Sequence, residues 1–134
     1  MSDIRTVTPD FAVAPQLGPQ DMAEVRARGF TLVVNNRPDA EQPGQPTGAE
    51  MQAAAEAAGL DYVHVPVVGR PGEAQVDAVK AAVDGASGPV LAFCRSGTRS
   101  IVTWALGQAK AGDRSREDLV GLGAAAGYDL AGVV

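Results

Sequence analysis

The strongest constraint on this chain is a recurring alternation of short apolar runs, turn-rich loops and stretches of helical periodicity. FTLVVN, from Phe30 to Asn35, and VLAF, from Val90 to Phe93, are too short for helices. They lack a polar face, as strands buried on both sides do. Tyr62 to Val68 reads as another strand, and Phe11 to Pro15 as an apolar run that can pair with Arg5 to Val7 in an edge hairpin. Helical segments fall between them. Pro19 to Arg28 has Pro in its first turn and Gly29 as its stop. Thr47 caps a helix to Ala58, with Glu50 completing a capping box and Gly59 ending it. Glu73 to Asp84 carries Val76, Val79 and Val83 at helical spacing. Ser100 to Ala111 turns Ile101, Trp104, Ala105 and Leu106 inward, and Ser115 caps Arg116 to about Ala126. The implied class is α/β: a central, mostly parallel sheet of four to five strands flanked by helices on both faces.

The 134 residues fit one domain over 1–134, with no internal repeat. A net charge of −5 with only two lysines, Lys80 and Lys110, argues against a nucleic-acid partner. No apolar run is long enough for a membrane span. The N-terminal Met-Ser-Asp-Ile-Arg has no leader pattern. A single cysteine cannot form an internal disulfide. The expectation is a cytoplasmic protein. No cluster has metal-ligand spacing, so no metal or other cofactor is expected.

Ligands of open α/β sheets sit beyond the carboxyl ends of the strands. Three loops leave such ends: Asn36 to Pro46, Gly69 to Gly72, and Cys94 to Arg99. They are expected to meet at one crevice. The last, Cys94-Arg95-Ser96-Gly97-Thr98-Arg99, follows the most apolar strand and precedes a helix. Helix-start N–H groups carry partial positive charge. Gly97 permits a sharp backbone path, and Arg99 can grip two oxygens of an anion. Such a field favours thiolate, and cysteines in comparable places titrate at roughly 3.5 to 7.5. Cys94 is therefore the expected nucleophile. Two arginines and three hydroxyls directly after an apolar strand have no use in a core.

The Cys94 to Ser100 segment, CRSGTRS, resembles the active-site loop of rhodanese-type sulfurtransferases. The rest of the chain resembles another group. Val34-Asn35-Asn36-Arg37-Pro38, Gln45-Pro46, Tyr62-Val63-His64-Val65-Pro66-Val67 and Gly88-Pro89-Val90 are similar to the phosphatase-like domain of bacterial beta-lactamase-hydrolase-like proteins. That resemblance covers nearly the whole chain. It implies a fold like the dual-specificity phosphatases, and functional pairing with a metallo-beta-lactamase-type hydrolase.

The two resemblances imply different chemistries. Four residues, Arg95 to Thr98, separate Cys94 from Arg99; cysteine phosphatases place one residue more there. They also use an Asp general acid, commonly on the loop after the strand that precedes the Cys loop. Here that loop, Val68 to Gly72, has no carboxylate. The expected activity is sulfur transfer: Cys94 takes the outer sulfur of thiosulfate or glutathione persulfide and passes it to an external thiol acceptor. The alternatives are a cysteine-dependent phosphatase and a non-catalytic anion-binding module.

The residues expected at the site are Cys94 and Arg99 for catalysis, with Arg95, Ser96, Gly97, Thr98, Ser100, Asn36 and Arg37 for anion binding. Ser100 could bond the Cys94 sulfur or satisfy its own helix start. Arg95 could select donor charge or be solvated. Asn36 and Arg37 could contact the donor or buttress the Cys loop. His64 reads as structural, and Arg70 as exposed by default.

Overall fold

Five strands alternate with helices in the computed structural model, which describes residues 3–134. Met1 and Ser2, part of the stretch read above for a leader, lie outside the described residues. The elements are β1 (Arg5–Thr8), β2 (Phe11–Ala14), a 3₁₀ turn (Pro19–Asp21) running into α1 (Met22–Ala27), β3 (Leu32–Asn35), α2 (Gly48–Ala57), β4 (Asp61–His64), α3 (Glu73–Gly85), β5 (Val90–Phe93), α4 (Thr98–Ala111) and α5 (Arg116–Ala126). The strand order is β1-β2-β5-β3-β4. Only the edge pair β1–β2 is antiparallel; β2, β5, β3 and β4 run parallel. The expected hairpin and parallel sheet are both present.

Side-chain alternation along the strands splits the core in two. Leu32, Val34, Val90 and Ala92 face α3, α4 and α5, packing with Val79, Ile101, Trp104 and Leu119. Val33, Leu91 and Phe93 face α1 and α2, packing with Met22, Val25, Met51 and Ala55. Helices therefore cover both faces, which is why the central strands could be apolar throughout. Phe11 and Trp104 stack with ring centroids 4.9 Å apart.

Local signals set the helix ends. Thr47 accepts from the Glu50 amide while Glu50 reaches back to the Thr47 amide. Ser115 accepts from the Asp118 amide. Three boundaries differ from expectation. β4 stops at His64, ahead of Pro66, which has no N–H for the ladder; the Val65 and Val67 amides still reach the Asn35 and Asn36 carbonyls. The first helix divides into the 3₁₀ turn and α1. α4 begins at Thr98, two residues early, so Arg99 and Ser100 lie in its first turn. Leu106 is only half-buried on α4. Among the described residues, no helix is long and apolar enough to cross a membrane.

Leu91 is fully buried at the centre of the sheet, whereas Val68 is 80% exposed. Leu91→Ala should lower unfolding free energy by about 2–5 kcal/mol. Val68→Ala should change it by no more than about 0.5 kcal/mol. Urea titrations of the two variants check the contrast.

Candidate active site

β5 carries the chain to Cys94, which is buried at the end of the strand. Three residues on, Gly97 adopts φ 91°, ψ −15° and serves as the N-cap of α4. That left-handed turn, open to glycine, points the Gly97 N–H back at the Cys94 sulfur at 3.1 Å. The loop is braced from outside. The Tyr128 hydroxyl donates to the Ser96 carbonyl at 2.9 Å. The Gln16 amide donates to the Arg95 carbonyl at 3.2 Å. The Ser96 hydroxyl donates to Thr98 Oγ1 at 3.0 Å. The amides of Arg95 and Ser96 have no hydrogen-bond partner among the described residues. The Arg95 side chain is exposed, which fits either of its two readings.

Arg99 is held in place by Glu41. Its Nη1 donates to Glu41 Oε2 at 2.8 Å and to the Val67 carbonyl at 2.7 Å, and its Nη2 donates to Glu41 Oε1 at 2.8 Å. Glu41 also accepts from Arg37 Nε at 2.8 Å. The hydrogen bond from Arg99 outweighs the opposing effect of burial and, with a lesser one from Arg37, holds the Glu41 carboxyl down at about 2. The Arg99 guanidinium is raised, chiefly by that same bond and also by the nearby Cys94 sulfur.

Asn36 and Arg37 are buried and hydrogen-bonded to neighbouring segments, the geometry of the buttressing alternative. The Asn36 amide donates to the Phe93 carbonyl, and its Nδ2 to the Val65 carbonyl. Its Oδ1 accepts the Ser100 hydroxyl at 2.8 Å. The Ser100 proton is therefore committed to Asn36, which corrects the expectation that it could serve the Cys94 sulfur. Arg37 is 3% exposed, and it donates to Glu41, to Gln16 Oε1 and to Gln42 Oε1. His64 Nε2 lies 2.7 Å from the Arg37 carbonyl. A carbonyl only accepts, so Nε2 carries the proton and His64 fixes the loop, as its structural reading expected.

Two of the three expected loops meet, through Arg99 and Glu41. The third reaches this junction only through the Val67 carbonyl just ahead of it. Its Arg70 and Pro71 instead line a cavity of about 320 Å³ with Leu106 and Lys110. The reason is that Val67 is buried and anchored to Asn36, so the chain turns away after it. The sequence reading missed Glu41, Gln16 and Tyr128. Glu41 had one local signal, its place four residues after Arg37 in a loop leaving a strand's carboxyl end.

Residues 3–111 match the family model described as beta-lactamase hydrolase-like protein, phosphatase-like domain. A beta-lactamase hydrolase-like protein of Agrobacterium fabrum is 40% identical over 111 residues, 82% of this chain and 26% of that protein. The chain thus spans about a quarter of that relative. A solved structure from Neisseria meningitidis, provisionally assigned as a phosphatase, superposes with TM-score 0.85 at 30% identity, covering 97% of this chain and 92% of the other. The kinase associated phosphatase superposes with TM-score 0.70 at 14% identity, covering 91% and 80%, which shows a shared fold. The dual-specificity-phosphatase-like fold expected from the sequence is present.

A Cβ on Gly97 would collide with the Tyr128 hydroxyl and need a positive φ. Gly97→Ala should cost about 1–3 kcal/mol. Combined with Tyr128→Phe, it should cost less than the sum of the two single changes, measured in a double-mutant cycle of urea titrations. Glu41 makes a separate prediction. Its folded pKa lies below the unfolded carboxylate value, so its contribution is full above about pH 5 and lost as pH falls towards about 2. Glu41→Gln should flatten the acid limb of a stability-against-pH curve over that window.

Proposed function

We infer a chemistry from one starting fact: the chain belongs to the family of phosphatase-like domains of beta-lactamase hydrolase-like proteins. Within that family we read it as a sulfurtransferase in which Cys94 is the nucleophile and Arg99, with the Arg95 and Ser96 amides, holds the donor. The observation that carries this reading is the state of Glu41. It is the carboxylate bonded to the Arg99 guanidinium, and it stays ionised because Arg99 and Arg37 both donate to it. An ionised carboxylate has no proton to give a leaving oxygen. Glu41 then offers no proton, which suits a leaving group that departs as a stable anion, as sulfite and thiolates do. The four-residue spacing from Cys94 to Arg99 supports the same reading.

The steps balance without a proton donor. The Cys94 thiolate attacks the outer sulfur of thiosulfate or of an organic persulfide. A bond forms from Cys94 Sγ to that sulfur, and the donor's S–S bond breaks. The electron pair leaves on sulfite or on the donor thiolate, and Cys94 becomes a persulfide. An external thiolate then attacks the terminal sulfur, carries it off as a new persulfide, and restores the Cys94 thiolate. Cys94 is the only cysteine in the chain, so the acceptor comes from outside it. The Gly97 N–H on Sγ and Arg99 beside it stabilise the restored thiolate. Functional pairing with a metallo-beta-lactamase-type hydrolase belongs to the same proposal.

The comparisons favour the second reading, a cysteine-dependent phosphatase. Both solved structures are named as phosphatases, and none of the three proteins is named for sulfur transfer. In that reading Cys94 forms a phosphocysteine, and an aryl phosphate suits the site best because a phenolate leaves with little help from an acid.

Intact mass after incubation with thiosulfate or glutathione persulfide separates the two. Sulfur transfer requires a gain of one sulfur atom, lost on adding thiol and absent in Cys94→Ser. Turnover of an aryl phosphate by the wild type, with no mass gain from either donor, sinks the sulfur reading in favour of the phosphatase. Inertness in every assay leaves the anion-binding module.

A further inference from the structure

Arg99 offers five N–H groups, of which Glu41 takes two and the Val67 carbonyl a third. Nε–H and one Nη2–H remain for a donor and for the Cys94 sulfur, which also interacts with this side chain. An anion can therefore bind Arg99 while Glu41 stays seated, and Glu41 acts on it through charge alone. Glu41 is well placed for this. Its side chain is 28% exposed, and Arg37, itself 3% exposed, anchors it from behind. With Cys94 as thiolate, the junction holds two cations, Arg37 and Arg99, against two anions, Glu41 and Cys94. Without Glu41 the same junction would carry a net positive charge.

We propose that Glu41 is a specificity-determining residue that sets the charge of the donor. It favours donors with a single negative charge at the reacting end, organic persulfides, over dianions such as thiosulfate and phosphate monoesters. The proposal rests on the sulfur-transfer reading for its donor class. The physical reason is that repulsion scales with the charge of the bound species, so a fixed carboxylate opposes a dianion about twice as strongly as a monoanion. The part of Glu41 is distinct from bracing. A brace would position Arg99 and help every anion alike.

The test uses two probes with tetrahedral sulfur, sulfate and methanesulfonate, which differ by one charge. Each is titrated at constant ionic strength into Cys94→Ser protein with and without Glu41→Gln. Binding requires no chemistry, so this measurement stands apart from any failure of sulfur transfer. Removing the Glu41 charge should tighten methanesulfonate by about threefold and sulfate by roughly the square of that factor. Equal gains, or no gain, would overturn the proposal. Weaker binding of both anions would assign Glu41 to bracing and overturn it equally. Glu41→Ala serves the same comparison if the Gln variant does not fold. In the unaltered protein, glutathione persulfide should load Cys94 faster than thiosulfate at equal concentration; the reverse order rejects the proposal.

Discussion

The structure depends on β5 being paired on both sides. β2 and β3 flank it in parallel register, and its four residues are all buried. Such a strand satisfies its backbone only through its neighbours and has no solvent face to tolerate polar side chains. Its end is therefore a sharp boundary. The residue after Phe93 is Cys94, and the polar loop begins at once. The adjoining strand end is tied to the same point, since the Asn36 amide bonds the Phe93 carbonyl. The Asn36 side chain then bonds Ser100 on α4 and Val65 beyond β4, so one buried residue ties three segments around the cysteine.

Much of this was legible in the sequence because its causes are local. The apolar strands, the Thr47–Glu50 capping box, the Ser115 cap and the glycine in the Cys loop each announce themselves within a few residues. The early start of α4 at Thr98 was less visible, because Gly97 reads as a loop residue until its φ is known. The partner of Arg99 was invisible for a different reason. Glu41 lies 58 positions away, and its loop is packed by contacts from Gln16, Gln42 and Gln45 that no periodicity encodes. The role of Ser100 turned on the same kind of distance, since Asn36 is 64 positions away.

Family and chemistry speak to different levels of this molecule. The phosphatase-like fold delivers a cysteine to the end of a buried strand and a cation beside it. That arrangement receives an electrophile without naming the atom to be transferred. Loop length and a proton donor beside the leaving group are the features on which the two proposed chemistries differ. In this chain the loop is short, and the carboxylate beside Arg99 is locked in its charged form.

Tyr128 has a wider consequence. It follows α5, beyond the stretch 3–111 that matches the family model, yet its hydroxyl holds the Ser96 carbonyl and fills the space beside Gly97. It also packs near Arg5 on the edge strand, 5.5 Å from guanidinium to ring. The curvature of the nucleophile loop is thus partly written in the tail. A change in how α5 docks on β1 would be felt at the sulfur, so the shape of the cradle is a property of the chain's two extremities as well as of the six residues that form it.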